Sequence, residues 1–166
     1  MTLKGLNAGD RGMAVIENKT FDEIEVGQSA QLQRTLTMDD IRLFGLLSGD
    51  ANPTHFGDGT GTAPQRVIGH GMWGASLVSA LLGNQLPGAG TLYRRQSFEF
   101  LTTVVVGDTL TVIITVTALH PADKTVTFDC KAVNQRGEPV YTGEAEVFAP
   151  PTKQRLEHGG SLYAQF

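Results

Sequence analysis

The stretch HGMWGASLVSALLGNQLPGAG, residues 70–90, decides how this chain must fold. From Met72 to Leu82 it carries no charge, and apolar side chains fall on every face of the helix its spacing predicts. A helix without a polar face must be enclosed on most sides. Gly83 and the later Pro87-Gly88 pair are read as its stop. From Thr91 onward the periodicity changes to two. Leu110, Val112, Ile114, Val116 and Ala118 share one face, with Thr109, Thr111, Thr115 and Thr117 on the other. Val126, Phe128, Cys130 and Ala132 repeat the scheme, as do Tyr141, Gly143, Ala145 and Val147. Gly107-Asp108 and Gln135-Arg136-Gly137 mark turns between strands, and Ala149-Pro150-Pro151 ends them. Long strands without intervening helices, following one apolar helix, predict an α+β fold: an antiparallel β-sheet wrapped around a buried apolar helix. Tyr93, Phe98 and Phe100 are read as part of that sheet's core, and Trp73 as buried packing on the helix.

Upstream, FDEIEVGQSAQLQRTLT, residues 21–37, reads as a short strand pair or strand-turn leading into a second helix. Thr37 followed by Asp39 and Asp40 supplies an N-cap and two acidic groups where the helix dipole favours them. Ile41, Phe44 and Leu47 recur at helical spacing, and Gly49 suits the position after the last turn. This helix delivers Asp50 to SGDANPTH, residues 48–55. Asp50 and His55 would stand roughly 140° apart on a helix and on opposite faces of a strand. A turn alone brings them together, and Pro53 imposes one by fixing its own φ and excluding Asn52 from the helical region. An ordinary Asx-turn would use the same residues. The imidazole of His55, suited to moving protons in either direction, favours chemistry. So does Gly71, at the start of the apolar helix, where outward-pointing backbone N–H groups can receive an oxyanion.

The chain has 166 residues, 40% of them apolar and 18% charged, with a formal net charge of −4. That is enough for one domain with its own core. Residues 1–20, with Gly5, Gly9 and Gly12 and no clear period, are read as a loosely ordered N-terminal arm, 21–150 as the domain, and 151–166 as a mobile C-terminal tail. No basic run offers a phosphate footprint, so nucleic acid is not an expected partner. No signal pattern or bilayer-length apolar run occurs, which predicts no membrane association and a cytoplasmic location. Cys130, the single cysteine, is expected in the core rather than as a reactive thiol, and no His/Asp/Glu cluster has metal-ligand spacing in sequence. His120 and His158 are read as surface residues, and His70 as acting through its backbone position beside Gly71 and packing locally.

The segments FGLLSGDANPTHF, IGHGMWGASLVSALLGNQLPGAGTLY and VVVGDTLTV resemble the MaoC-like (R)-specific enoyl-CoA hydratases from about Phe21 to Pro150. TVTFDCKAVNQRGEPVYTGEAEVFAP resembles the hydratase-like domain fused to bacterial phosphate acetyl- and butyryltransferases. The resemblance implies a hot-dog fold and a homodimer or higher homo-oligomer joined edge to edge. It places the family's catalytic pair on Asp50 and His55, its oxyanion-binding N–H on Gly71, and its acyl-pocket serine on Ser79, with Asn52 and Pro53 shaping the turn. The implied reaction is reversible syn hydration of a trans-2-enoyl-CoA to the (R)-3-hydroxyacyl-CoA, with the substrate carried as a coenzyme A thioester and no cofactor or metal.

Two features depart from the family pattern. The Gly-rich segment 56–63 replaces a short helix and suggests a mobile flap, and Arg94-Arg95 stand where an apolar residue and a glycine are usual. The arginines are read as solvated or ion-paired strand residues in preference to a coenzyme A phosphate contact. Competing functions are an acyl-CoA thioesterase on the same fold and a non-catalytic acyl-CoA-binding or assembly module; the intact Asp50/His55 pair disfavours the second.

Overall fold

A computed structural model describes residues 14–56 and 67–158. The elements in order are β1 (Ala14–Glu17), a 3-10 turn (Phe21–Glu23), β2 (Ser29–Thr35), α1 (Met38–Ser48), α2 (Pro53–Phe56), α3 (Gly71–Asn84), β3 (Leu92–Phe100), β4 (Thr109–His120), β5 (Thr125–Val133), β6 (Pro139–Phe148) and β7 (Arg155–His158). Five strands form one antiparallel sheet in the order β2-β4-β5-β6-β3. Its inner face packs on α3, whose Val78, Leu81 and Leu82 are buried with Leu110, Val112, Ile114, Val126, Phe128 and Val147. This is the hot-dog arrangement of an α+β domain. Tyr141 adds a polar tie, since its buried hydroxyl donates to the Gly74 carbonyl of α3 at 3.1 Å. Burial pushes the Cys130 thiol up to about 12, as suits an inert core residue. No helix among the described residues is long and apolar enough to cross a membrane.

Several boundaries differ from the sequence reading. Helix α3 runs through Gly83 and ends at Asn84, where the Leu81 carbonyl accepts from both Gln85 N and Leu86 N. Ala118 leaves the inward face because the β4–β5 register shifts between Val116 and Ala118, a bulge that inserts Thr117 and turns the strand over. Tyr93 and Phe100 are not core: they are 44% and 48% exposed, because β3 is the sheet's edge and α3 covers only part of it. Segments read as a loose arm and a mobile tail supply β1 and β7, which pair antiparallel with Ala14 opposite His158. Beside that pair Asn18 is fully buried, its amide donating to the Ala89 and Thr152 carbonyls while its oxygen accepts from Gln154 N. The Gly-rich segment, apart from Phe56, lies outside the described residues.

Helix α1 begins as the sequence predicts. Thr37 and Asp40 form a reciprocal capping box, and Gly49 closes the helix at φ 76°. Asp40 also accepts from Arg34 of β2 at 2.6 Å, so one carboxylate fixes both the cap and the helix's attachment to the sheet. Burial acts to raise this carboxyl, but the Thr37 hydroxyl and amide and the Arg34 guanidinium outweigh it and hold Asp40 below the usual carboxylate range. A depressed folded-state value contributes stability above the unfolded value, near 4, that is lost as the pH falls through the folded one. Asp40→Asn should therefore cost about 1–2 kcal/mol at pH 7. In urea titrations of both proteins, the gap should close below about pH 4; a gap independent of pH would exclude this linkage.

Candidate active site

Helix α1 ends at Ser48, whose hydroxyl donates back to the Phe44 carbonyl and accepts from Asp50 N. The chain turns at Asn52, whose side-chain oxygen accepts from the Thr54 amide and hydroxyl, and Pro53 occupies the first position of α2. Asp50 Oδ1 accepts from Asn52 N at 3.2 Å, which leaves Oδ2 facing the His55 ring. The separation from Asp50 Oδ2 to His55 Nε2 is 3.8 Å. Too long for a direct hydrogen bond, it suits one water held by both groups. The side chain of His55 is 13% exposed and that of Asp50 49%, so the pair lies at a solvent-facing edge with the imidazole sunk beneath it. Asn52 and Pro53 form the turn between α1 and α2.

The tautomer of His55 follows from its other nitrogen. Nδ1 lies 2.7 Å from the Ile68 carbonyl, which can only accept, so Nδ1 carries the proton and Nε2 presents a lone pair toward Asp50 in the neutral ring. Ile68 is held in turn by backbone bonds, its N–H donating to Thr54 and that of Gly69 to Val104. The strap that fixes the imidazole thus leads directly into α3. His70 is the N-cap residue of that helix and Gly71 its first residue.

The sequence assigns His70 a backbone position beside Gly71 and local packing; the fold also brings its ring into the pair. Its ring stacks on His55 with centroids 3.8 Å apart and planes at 28°, and its Nε2 lies 3.2 Å from the Asp50 carbonyl. The one available signal was its place next to a helix start, which does not reveal which loop lies across it. Donor atoms of Asp50, His55 and His70 lie within 4.8 Å of one another, a cluster with the reach to hold a metal ion that linear spacing did not show.

Two concavities flank the centre. A cavity of about 300 Å³ is lined by His70, Gly71, Gly74, Phe100, Val104 and Tyr141. A more open apolar groove of about 400 Å³ runs between α3 and β3, lined by Phe44, Met72, Ser79, Tyr93, Gln96 and Phe98. Ser79 is therefore far along the groove that starts at Phe44, whose ring is 5.0 Å from that of His70. Arg94 and Arg95 are ion-paired across β3 and β6. Arg94 bonds Asp123 and Glu146 at 2.5 and 2.9 Å, and Arg95 bonds Glu144 at 2.9 Å.

Residues 20–135 match the family model described as a MaoC-like domain. An (R)-specific enoyl-CoA hydratase of Rhodospirillum rubrum is 43% identical over 132 residues, covering 78% of this chain and 91% of its own. One from Aeromonas caviae is 42% identical over 129 residues, 76% of this chain and 96% of the relative. Among solved structures, an unliganded R-hydratase from Pseudomonas aeruginosa superposes with a TM-score of 0.80 at 36% identity, covering 87% of this chain and 94% of that one.

Gly45 tests the local packing. A Cβ there would lie 2.6 Å from Phe56 Cζ and 3.2 Å from the Asp50 carbonyl, so α2 rests on α1 only because position 45 lacks a side chain. Helix propensity alone favours Gly45→Ala by about 1 kcal/mol, whereas overpacking costs about 1–3 kcal/mol. The expected outcome in urea denaturation is a net loss; a more stable variant would show that Phe56 does not sit on α1.

Proposed function

The chain belongs to the MaoC-like domain family, and from that premise we propose that it is an (R)-specific enoyl-CoA hydratase, a hydro-lyase acting on acyl-CoA thioesters. The observation that carries the reading is the facing of Asp50 Oδ2 and His55 Nε2 across 3.8 Å, with the His55 proton committed to Ile68 on the far side. With the carboxylate ionised and the imidazole neutral, both facing atoms are acceptors. A water between them donates to both, which turns its oxygen lone pair toward Cβ of a bound enoyl thioester.

The protonation states also set the stereochemistry. Neither group holds a proton to give Cα at the outset. The proton taken from water as the C–O bond forms is therefore the one delivered to Cα, by the same pair and on the same face, which is syn addition. Between these events the electron pair of the double bond rests on the thioester oxygen as an enolate. Gly71 N–H, at the positive end of α3, is the donor we assign to it. Such a preorganised donor contributes about 3 kcal/mol to the transition state. General acid–base transfer adds roughly 10²–10⁴-fold. The open groove past Phe44 to Ser79 is the route we assign to the acyl chain. These groups suffice without a cofactor or metal, despite the ligating reach of the Asp50/His55/His70 cluster. Coenzyme A thioesters are intracellular, which fits the cytoplasm.

We further propose a homodimer. Among the described residues strand β3 has a neighbour on one side only, and Leu92, Tyr93 and Phe100 on it are exposed, as are Leu46 and Leu47 of α1 at 83% and 86%. An open apolar edge of this kind is ordinarily covered by pairing. Light scattering should give about twice the 17.8 kDa chain mass, and a monomer at micromolar concentration would overturn this.

For the activity, protein dialysed against a chelator should hydrate trans-2-enoyl-CoAs of graded length to the (R)-3-hydroxy products. Asp50→Asn and His55→Asn should each remain folded and lose about 100-fold or more. An (S)-product, release of free thiol in place of hydration, or near-normal turnover in either variant would overturn the assignment.

A further inference from the structure

We propose that His70 is a positioning residue for this reaction, its ring holding the proton-transfer pair in place while its backbone leads into the oxyanion donor at Gly71. The inference rests on the hydratase reading but concerns a residue with no place in the mechanism above. Four groups converge on the imidazole of His70, a residue that is 4% exposed. Its Nε2 faces the Asp50 carbonyl at 3.2 Å; because that oxygen only accepts, Nε2 carries the proton and holds the residue bearing the carboxylate. One face of its ring lies on His55 at 3.8 Å between centroids, which blocks rotation of that ring about its own axis and keeps Nε2 turned to Asp50. Its backbone is the N-cap of α3, so the amide of Gly71 is fixed by the same residue. Phe44 and Phe56 close on the ring at 5.0 and 6.0 Å, giving it an apolar seat on the remaining sides.

The seat also limits where the ring can hold a proton. Nδ1 is buried and has no hydrogen-bond partner among the described residues, so a second proton there would be a buried N–H without an acceptor. An aromatic face stacked on His55 accommodates the positive charge that appears when His55 takes the proton from water, much as other ring faces accommodate cations.

Two measurements test this. In wild-type protein at neutral pH, long-range ¹H–¹⁵N spectra should show His70 protonated on Nε2 and His55 on Nδ1; His70 protonated on Nδ1, or on both nitrogens, overturns the proposal whether or not any variant folds. In kinetics with a trans-2-enoyl-CoA, His70→Leu removes both the ring face and the donor, whereas His70→Phe keeps a ring against His55. The leucine variant should lose about 10- to 100-fold in kcat with KM changed less than about threefold, and phenylalanine should restore about fivefold or more of that loss. A leucine variant within about twofold of wild type, equal losses in both variants, or KM rising in step with the fall in kcat would overturn it. If the wild type hydrates no enoyl-CoA, the hydratase reading fails and the tautomers alone decide the placement of His70.

Discussion

Helix α3 carries no charge, and burial of its Val78, Leu81 and Leu82 side organises the molecule, while the side bearing Met72, Ser76 and Ser79, expected from the sequence to be enclosed, stays exposed along the groove. Its side chains at 78, 81 and 82 are almost fully removed from water, each contributing roughly 1.5–3 kcal/mol by its burial. A sheet can supply enough apolar surface for that only by curving its inner face around the helix. Strands β4, β5 and β6 do so with their alternating Val, Ile, Phe and Ala positions. Once the helix axis is fixed, its first residues are fixed as well. Those residues carry His70 and Gly71, so the groups assigned to catalysis inherit their position from the core instead of from a loop's own preferences.

The opposite half of the site is built by local rules. Capping places α1, a left-handed glycine ends it, and Asn52 with Pro53 bends the chain back. Gly45 then admits the Phe56 ring against α1, so the turn is packed as well as hydrogen-bonded. The two halves meet at the Ile68 carbonyl and the Asp50 carbonyl, each accepting from one imidazole. Two histidines, each donating to a backbone carbonyl of the opposite segment, close the gap between an α1-borne acid and an α3-borne amide.

Most of this was legible in the sequence because it rests on short-range chemistry. The cap at Thr37, the stop at Gly49 and the inward faces of β4 and β5 are all properties of residues a few positions apart. The family resemblance added the hot-dog topology and the residue roles, which periodicity alone does not give. What escaped depends on long-range placement. Thr117 looks like any outward threonine until the β5 register shows it to be the extra residue of a bulge. Tyr93 and Phe100 have the composition of core strand, and only the strand order reveals that β3 is an edge. His70 lies 20 positions from the carbonyl it contacts. No local pattern marks such a pairing.

The strand pair made by β1 and β7 lies outside the segment that matches the family model, and it puts the two described ends of the chain side by side, Ala14 against His158. Asn18 anchors that pair to the loop following α3 through the Ala89 carbonyl and to the β6–β7 connection through that of Thr152. Because Ala14 and His158 are paired, the strands at these two positions are close enough to be joined directly. A short covalent bridge between the ends, with new termini opened at an exposed turn such as that around Gly137, would yield a circular permutant of the same shape.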